Sequence, residues 1–155
     1  MRAITMEGRT SLYYFIMQHP KGIGLRRKLA GDFGADWRSK CFGPATYFLS
    51  HSWGSSFAGL VHSVQHLDEE DFIWCDIIAI NQHGDAGPKA RLFMQEDLGA
   101  LEEVIKTCKR AVLFFDPISK PAPLTRVWCL FEIMTLLSCK GTLLIGFTEE
   151  GQKQI

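Results

Sequence analysis

The run from Val127 to Cys139 reads as a helix that is apolar almost all round, and it holds one acidic side chain, Glu132. Removing a lone carboxylate from water is costly, so such a group gains a partner or is driven towards its neutral form. Trp128 stands four residues earlier and so shares a face with Glu132 near the helix start. No basic residue lies three or four positions from Glu132. Two readings follow. The acid sits at an edge, caps a backbone group, or pairs with Arg126 or a distant arginine. Alternatively it opens onto a crevice beside an aromatic wall, where it can steady a developing positive charge.

A second set of polar residues follows the apolar strand Ala45 to Ser50. His51, Ser52 and Trp53 lead into Gly54. His51 is either a structural imidazole or a ligand contact. Trp53 is either core or a flat surface for stacking a planar ligand. Asn81, Gln82 and His83 follow a second apolar run, Phe72 to Ile80. Asn81 and Gln82 can bind a ligand or fix the loop through backbone bonds. Asp76, inside that run, reads as a structural carboxylate needing donors. Arg110 and Arg126 each suit a phosphate or an acidic partner.

These residues need a scaffold. Apolar strands at Ala45 to Ser50, Phe72 to Ile80, Arg110 to Phe115 and Thr142 to Phe147 alternate with helical patterns at Phe57 to Leu67, Arg91 to Cys108 and Val127 to Cys139. Ser56 is placed to cap the first of these helices. Such alternation predicts an α/β fold, with a mostly parallel central sheet between two layers of helices. In such sheets the ligand crevice lies beyond the carboxyl ends of the strands. Those ends present Ser50 to Gly54, Asn81 to His83 and Asp116 to Ile118. Residues 1–40 read as a largely helical extension with helix candidates at Ser11 to Gln18 and Leu25 to Phe33, and residues 41–155 as the main domain. Four strands make a small sheet of this kind. The expectation is that the chain is a piece of a longer polypeptide, or that the first forty residues complete the layer. The tail after Phe147 reads as an exit from the domain.

Composition narrows the function classes. The chain has 155 residues, a single domain's length, with 46% hydrophobic and 12% aromatic residues, which excludes disorder as the main description. Lys plus Arg and Asp plus Glu are each 17, so binding nucleic acid through bulk charge is not expected. Zero net charge with 11 Phe predicts modest solubility and an uncovered partner surface. No apolar stretch is long enough to span a membrane, so no membrane role is expected. The start of the chain lacks the pattern of a signal peptide. The five cysteines are odd in number and none forms a CxxC pair, which reads as reduced thiols of a cytoplasmic protein and gives no metal site. Neither GxGxxG nor GxxxxGK[ST] occurs, which disfavours the common dinucleotide and P-loop modes.

Two segments carry a family resemblance. Tyr47-Phe48-Leu49-Ser50-His51-Ser52 resembles the opening strand of TIR (Toll/interleukin-1 receptor) domains. Leu124 to Ile133, with Trp128-Cys129-Leu130-Phe131-Glu132 at its heart, resembles the WCLxEL helix of plant and bacterial members. Phe72 to Gln82 is similar to the WIDALCINQ strand of fungal heterokaryon-incompatibility (HET) domains, distant relatives of TIR domains. The resemblance covers roughly residues 44–150. It implies a flavodoxin-like, TIR-like fold. In enzymatic members it further implies hydrolysis or cyclisation of NAD as substrate, with no separate cofactor. Glu132 then matches the catalytic glutamate, and Trp128 matches an aromatic four residues before it in an animal member. His51, Ser52 and Trp53 would line the NAD pocket together with Asn81 and Gln82. Gln82 to Lys89 would correspond to the mobile loop that gates the site or mediates assembly. The resemblance also implies homo-oligomers through TIR-type contacts. The alternative is a non-enzymatic self-association or adaptor module, whose assembly changes in the Gly84 to Arg91 loop would disrupt.

Overall fold

The computed structural model describes residues 23–79 and 101–155. The expected helix Ser11 to Gln18, the residues Asn81, Gln82 and His83, and the loop Gln82 to Arg91 lie outside the described residues. The chain divides into two compact units, residues 1–44 with 74–99, and residues 45–73 with 100–155.

The second unit holds most of the sheet. Its strands are β1 (Tyr47–Ser50), β3 (Arg110–Phe114) and β4 (Thr142–Gly146), joined by the short β2 (Ile73–Trp74) that straddles the unit boundary. The sheet order is β2-β1-β3-β4. β1 pairs in parallel with β3, Leu49 opposite Val112, and β3 pairs in parallel with β4, Val112 opposite Leu144. Helices flank this central sheet, giving a three-layer α/β arrangement of flavodoxin-like topology. β1 and β3 are central and buried, as near-continuous apolar parallel strands are: Phe48, Leu49, Val112, Leu113 and Phe114 are each at most 5% exposed.

The helix α3 (Phe57–Val64) starts where expected, with Ser56 Oγ accepting the Gly59 N–H at 3.2 Å. It lies against β3 and β4. Two glycines allow that close approach. A Cβ on Gly59 would meet the Phe114 ring at 2.9 Å, and a Cβ on Gly146 would meet Ser63 Cβ at 2.7 Å and its carbonyl oxygen at 2.9 Å. Because the second obstruction includes backbone, Gly146→Ala is expected to cost about 1–3 kcal/mol. Urea unfolding measures it, and an unchanged midpoint would show that the helix stands off the sheet.

Two helices feed the last two strands in the same way. Residues 101–108 are helical (α5), with Leu101, Val104, Ile105 and Cys108 buried, the face expected from their spacing. α5 ends at Lys109, and the helix α6 (Val127–Ser138) ends at Cys139 and Lys140. Lys109 and Lys140 both adopt left-handed backbone, φ 53° and 56°. Gly141 N–H then closes the turn onto the Leu136 carbonyl at 2.9 Å. A short 3₁₀ turn, Ala122–Thr125, leads into α6. The tail is more ordered than an exit. The helix α7 (Glu149–Gln152) is capped by Thr148, whose Oγ1 accepts the Gly151 N–H at 3.0 Å.

At the opposite end of the strands Arg110 answers an acid. Its Nη2–H donates to Asp71 Oδ1 at 3.0 Å, its Nη1–H donates to the Tyr47 hydroxyl at 3.2 Å, and its guanidinium lies over the Tyr47 ring at 4.1 Å. Thr46 also donates to Asp71 Oδ1, at 2.8 Å. This network ties the start of β1 to the start of β3.

In the first unit, α1 (Ile23–Phe33) ends at Gly34, whose φ is 79°, and α2 (Trp37–Cys41) follows. α2 was not expected from the sequence. Trp37 is buried and meets Phe42 edge-on at 6.2 Å. The strand expected over Phe72 to Ile80 needs correction. Among the described residues of that run only Ile73–Trp74 forms a strand, and Asp76–Ala79 forms the one-turn helix α4, while Ile80 lies outside the described residues. Local bonds explain the change. Asp76 Oδ1 accepts the Ile77 N–H at 2.7 Å, while the Cys75 carbonyl accepts N–H groups of Ile78 and Ala79 at 3.0 and 2.7 Å. These satisfied turns override the β preference of the isoleucines.

All five cysteines are free thiols. Burial, with the Asp76 carboxylate a lesser cause, pushes the Cys75 thiol up to about 12, and burial pushes Cys108 up to about 11. Both therefore stay protonated near neutral pH, as inert core thiols do. Among the described residues no helix is long and apolar enough to cross a membrane.

Candidate functional site

β1 lies where the strand order reverses. After β1 the chain adds β2 on one side and β3 on the other. The carboxyl end of β1 is therefore the switch point, where open α/β sheets form their crevice. Ser50, His51 and Ser52 are the residues delivered there.

Each of these three residues makes one bond to α6 or its cap. Ser50 Oγ–H donates to Glu132 Oε2 at 2.5 Å. The Cys129 thiol donates to the His51 carbonyl at 3.4 Å. Arg126 Nη1–H donates to Ser52 Oγ at 3.2 Å. Residues 126, 129 and 132 recur every three positions, so they form one face of the helix. The order is reversed, 50 to 132 and 52 to 126, because α6 runs against the strand direction. Helical periodicity and strand advance thus combine into a three-rung ladder that fixes the rotation and height of α6 over the strand end.

The burial of the rungs is graded. Ser50, His51 and Cys129 are buried, whereas Ser52, Arg126 and Glu132 are half-buried. Arg126 occupies the N-cap position without a side-chain cap, and the first turn of α6 has no acidic residue. A cation there opposes the positive end of the helix dipole. Its guanidinium turns instead to the Ser52 hydroxyl. Glu132 sits in the second turn, and a hydrogen bond to its charged carboxylate is worth about 1.5–3 kcal/mol.

The aromatic residues singled out from sequence are on the outside. Trp53 is 55% exposed on the loop after β1, and Trp128 is 51% exposed one turn before Glu132. Trp128 meets Phe131 edge-on, ring centroids 6.3 Å apart. Of the residues named from sequence, the structure draws His51, Ser52 and Glu132 into one ladder. Trp53 adjoins it in the chain and Trp128 adjoins it on α6. Asn81 and Gln82 fall outside the described residues.

Two participants were not anticipated in these roles. Ser50 was placed at the crevice end of its strand and Cys129 in the helix segment resembling WCLxEL, but neither as a hydrogen-bonding partner. Arg126, weighed as a partner for Glu132, binds Ser52. A serine at the end of an apolar strand is the one sequence signal for the first, since a hydroxyl buried there requires a partner. Chemically, the arrangement offers a carboxyl group held by the Ser50 hydroxyl, with the Arg126–Ser52 pair two rungs away along the same helix face, at the end of a rigid strand. Such a group can accept hydrogen bonds from sugar hydroxyls and stabilise nearby positive charge. Comparison with family models, with curated proteins and with solved structures finds no match for this chain.

Proposed function

We propose that the chain is a TIR-type NAD glycohydrolase or cyclase that breaks the nicotinamide–ribose bond, with Glu132 as the catalytic carboxylate. The observation that carries this reading is the placement of Glu132, held by Ser50 at the switch point of the sheet. The TIR-like segments around Ser50 and Glu132 add to it, because they are the two that meet in the ladder.

The chemistry asks little of the protein. Nicotinamide leaves as a neutral base, so no general acid is needed. The ribose passes through an oxocarbenium-like state. One carboxylate can bind the ribose hydroxyls and oppose the positive charge on the sugar. Exposed aromatic surface at Trp128 and Trp53 is available to stack on the flat ends of the substrate. Water as acceptor gives ADP-ribose, and the adenine of the same molecule gives a cyclic product. The test is nicotinamide release from NAD, followed by chromatography over a range of protein concentrations. Turnover that rises with concentration supports the reading, and no release at any concentration ends it.

A second reading is a self-association or adaptor module, favoured by the outer face of α6. Val127 is 81% exposed, Met134 70% and Leu137 59%, and Glu132 is the only charged residue in the helix. A contiguous apolar face of this kind usually marks a contact surface. Met134→Glu is expected to weaken concentration-dependent assembly at least about tenfold, since it would bury a charge. Sedimentation velocity measures it. A wild-type chain that stays monomeric at every concentration, alone and with candidate partners, counts against this reading.

A further inference from the structure

The geometry points to Ser50 as the positioning residue for the Glu132 carboxylate, an inference that rests on the proposed reaction and deepens it. Ser50 is 2% exposed and ends β1, where the backbone register with β3 is Ser50 opposite Leu113. Its hydroxyl therefore projects from one of the most constrained points of the sheet. Glu132 has three rotatable side-chain bonds, so the helix backbone alone does not fix where its carboxyl group lies. The Ser50 Oγ–H donating to Oε2 at 2.5 Å selects one orientation. The two lower rungs, Cys129 to His51 and Arg126 to Ser52, fix the helix, whereas the Ser50 hydroxyl acts on the carboxylate itself. A hydroxyl also suits this task because it donates a hydrogen bond without bringing a positive charge of its own to the carboxyl group. A lysine or arginine there would neutralise it.

The chemical consequence is specific. A carboxylate that must oppose charge arising only in the transition state is effective when held in place before the reaction. Loss of the hydroxyl should therefore act on turnover and spare substrate affinity. Ser50→Ala is expected to lower kcat about 10- to 100-fold with KM within about twofold. Ser50→Thr, which retains the hydroxyl, should recover most of the rate. In a Glu132→Gln background Ser50→Ala should cause little further loss, because the two residues act as a unit. If alanine disturbs the fold, judged by the urea midpoint, Ser50→Cys keeps the volume with a weak donor and is scored in the same way.

The failure of this inference is distinct from failure of the reaction. Full kcat in Ser50→Ala, with Glu132→Gln inactive, overturns the role of Ser50 and leaves the NAD reading standing. Absence of turnover in the wild type removes the NAD reading. The tie is then decided by the ¹³C resonance of the Glu132 side-chain carboxyl at neutral pH. A resonance that moves in Ser50→Ala supports orientation by the hydroxyl, and an unmoved one overturns it.

Discussion

Glu132→Gln is expected to lower nicotinamide release from NAD by at least about a hundredfold, the scale of losing one preorganised electrostatic group. The substitution is nearly isosteric. The amide oxygen of glutamine can still accept from the Ser50 hydroxyl, so the ladder can persist without its charge. Replacing a charged acceptor by a neutral one costs about 1 kcal/mol of stability. Turnover should therefore collapse in a protein that still folds. Chromatographic assay beside thermal unfolding separates these outcomes. Unaltered release in a folded variant would remove Glu132 from the chemistry, and the same loss accompanied by unfolding would make the residue structural.

Phe114→Ala should give the largest change in stability, about 3–5 kcal/mol. Phe114 is 0% exposed in β3, and its ring lies under Gly59 at the point where α3 meets the sheet. Truncation leaves a void that the helix cannot readily fill, because α3 already meets the sheet where Ser63 lies against Gly146. Against a usual total of about 5–15 kcal/mol, that is a large share. Equilibrium urea denaturation is the measurement. A loss below about 1 kcal/mol would mean that the β3–α3 contact contributes little to the core.

The elements most legible in the sequence were those governed by burial. β1, β3, β4, α3 and α6 were evident because apolar runs and helical spacing translate directly into a central sheet with helices against it. Ser56 was recognisable as a cap because capping is local. The segment after Trp74 was misread for a complementary reason. Its isoleucines favour a strand, but Asp76 and the Cys75 carbonyl offer bonds to the next few N–H groups, and local satisfaction prevails. α7 escaped notice although Thr148, three residues before Gly151, carries the cap that starts it.

The candidate site was legible by halves. Glu132 stands out because an acid in an apolar helix needs an explanation. Its partner does not stand out, because Ser50 is 82 residues away and a hydroxyl leaves no pattern in composition or spacing. Arg126 was the natural guess on charge alone. Helix geometry places it two rungs below Glu132, where the strand presents Ser52.

The ladder makes chain length more critical than chemistry between its rungs. Val127, Trp128, Leu130 and Phe131 are exposed and lie off the bonded face, so replacing them leaves the three bonds of the ladder in place. One extra residue between Cys129 and Glu132 would instead swing the carboxylate by about 100° around the helix axis. The two rungs nearer the helix start would stay closed. The ladder thus survives substitution at these positions, whereas a single insertion or deletion disconnects the acid from the strand.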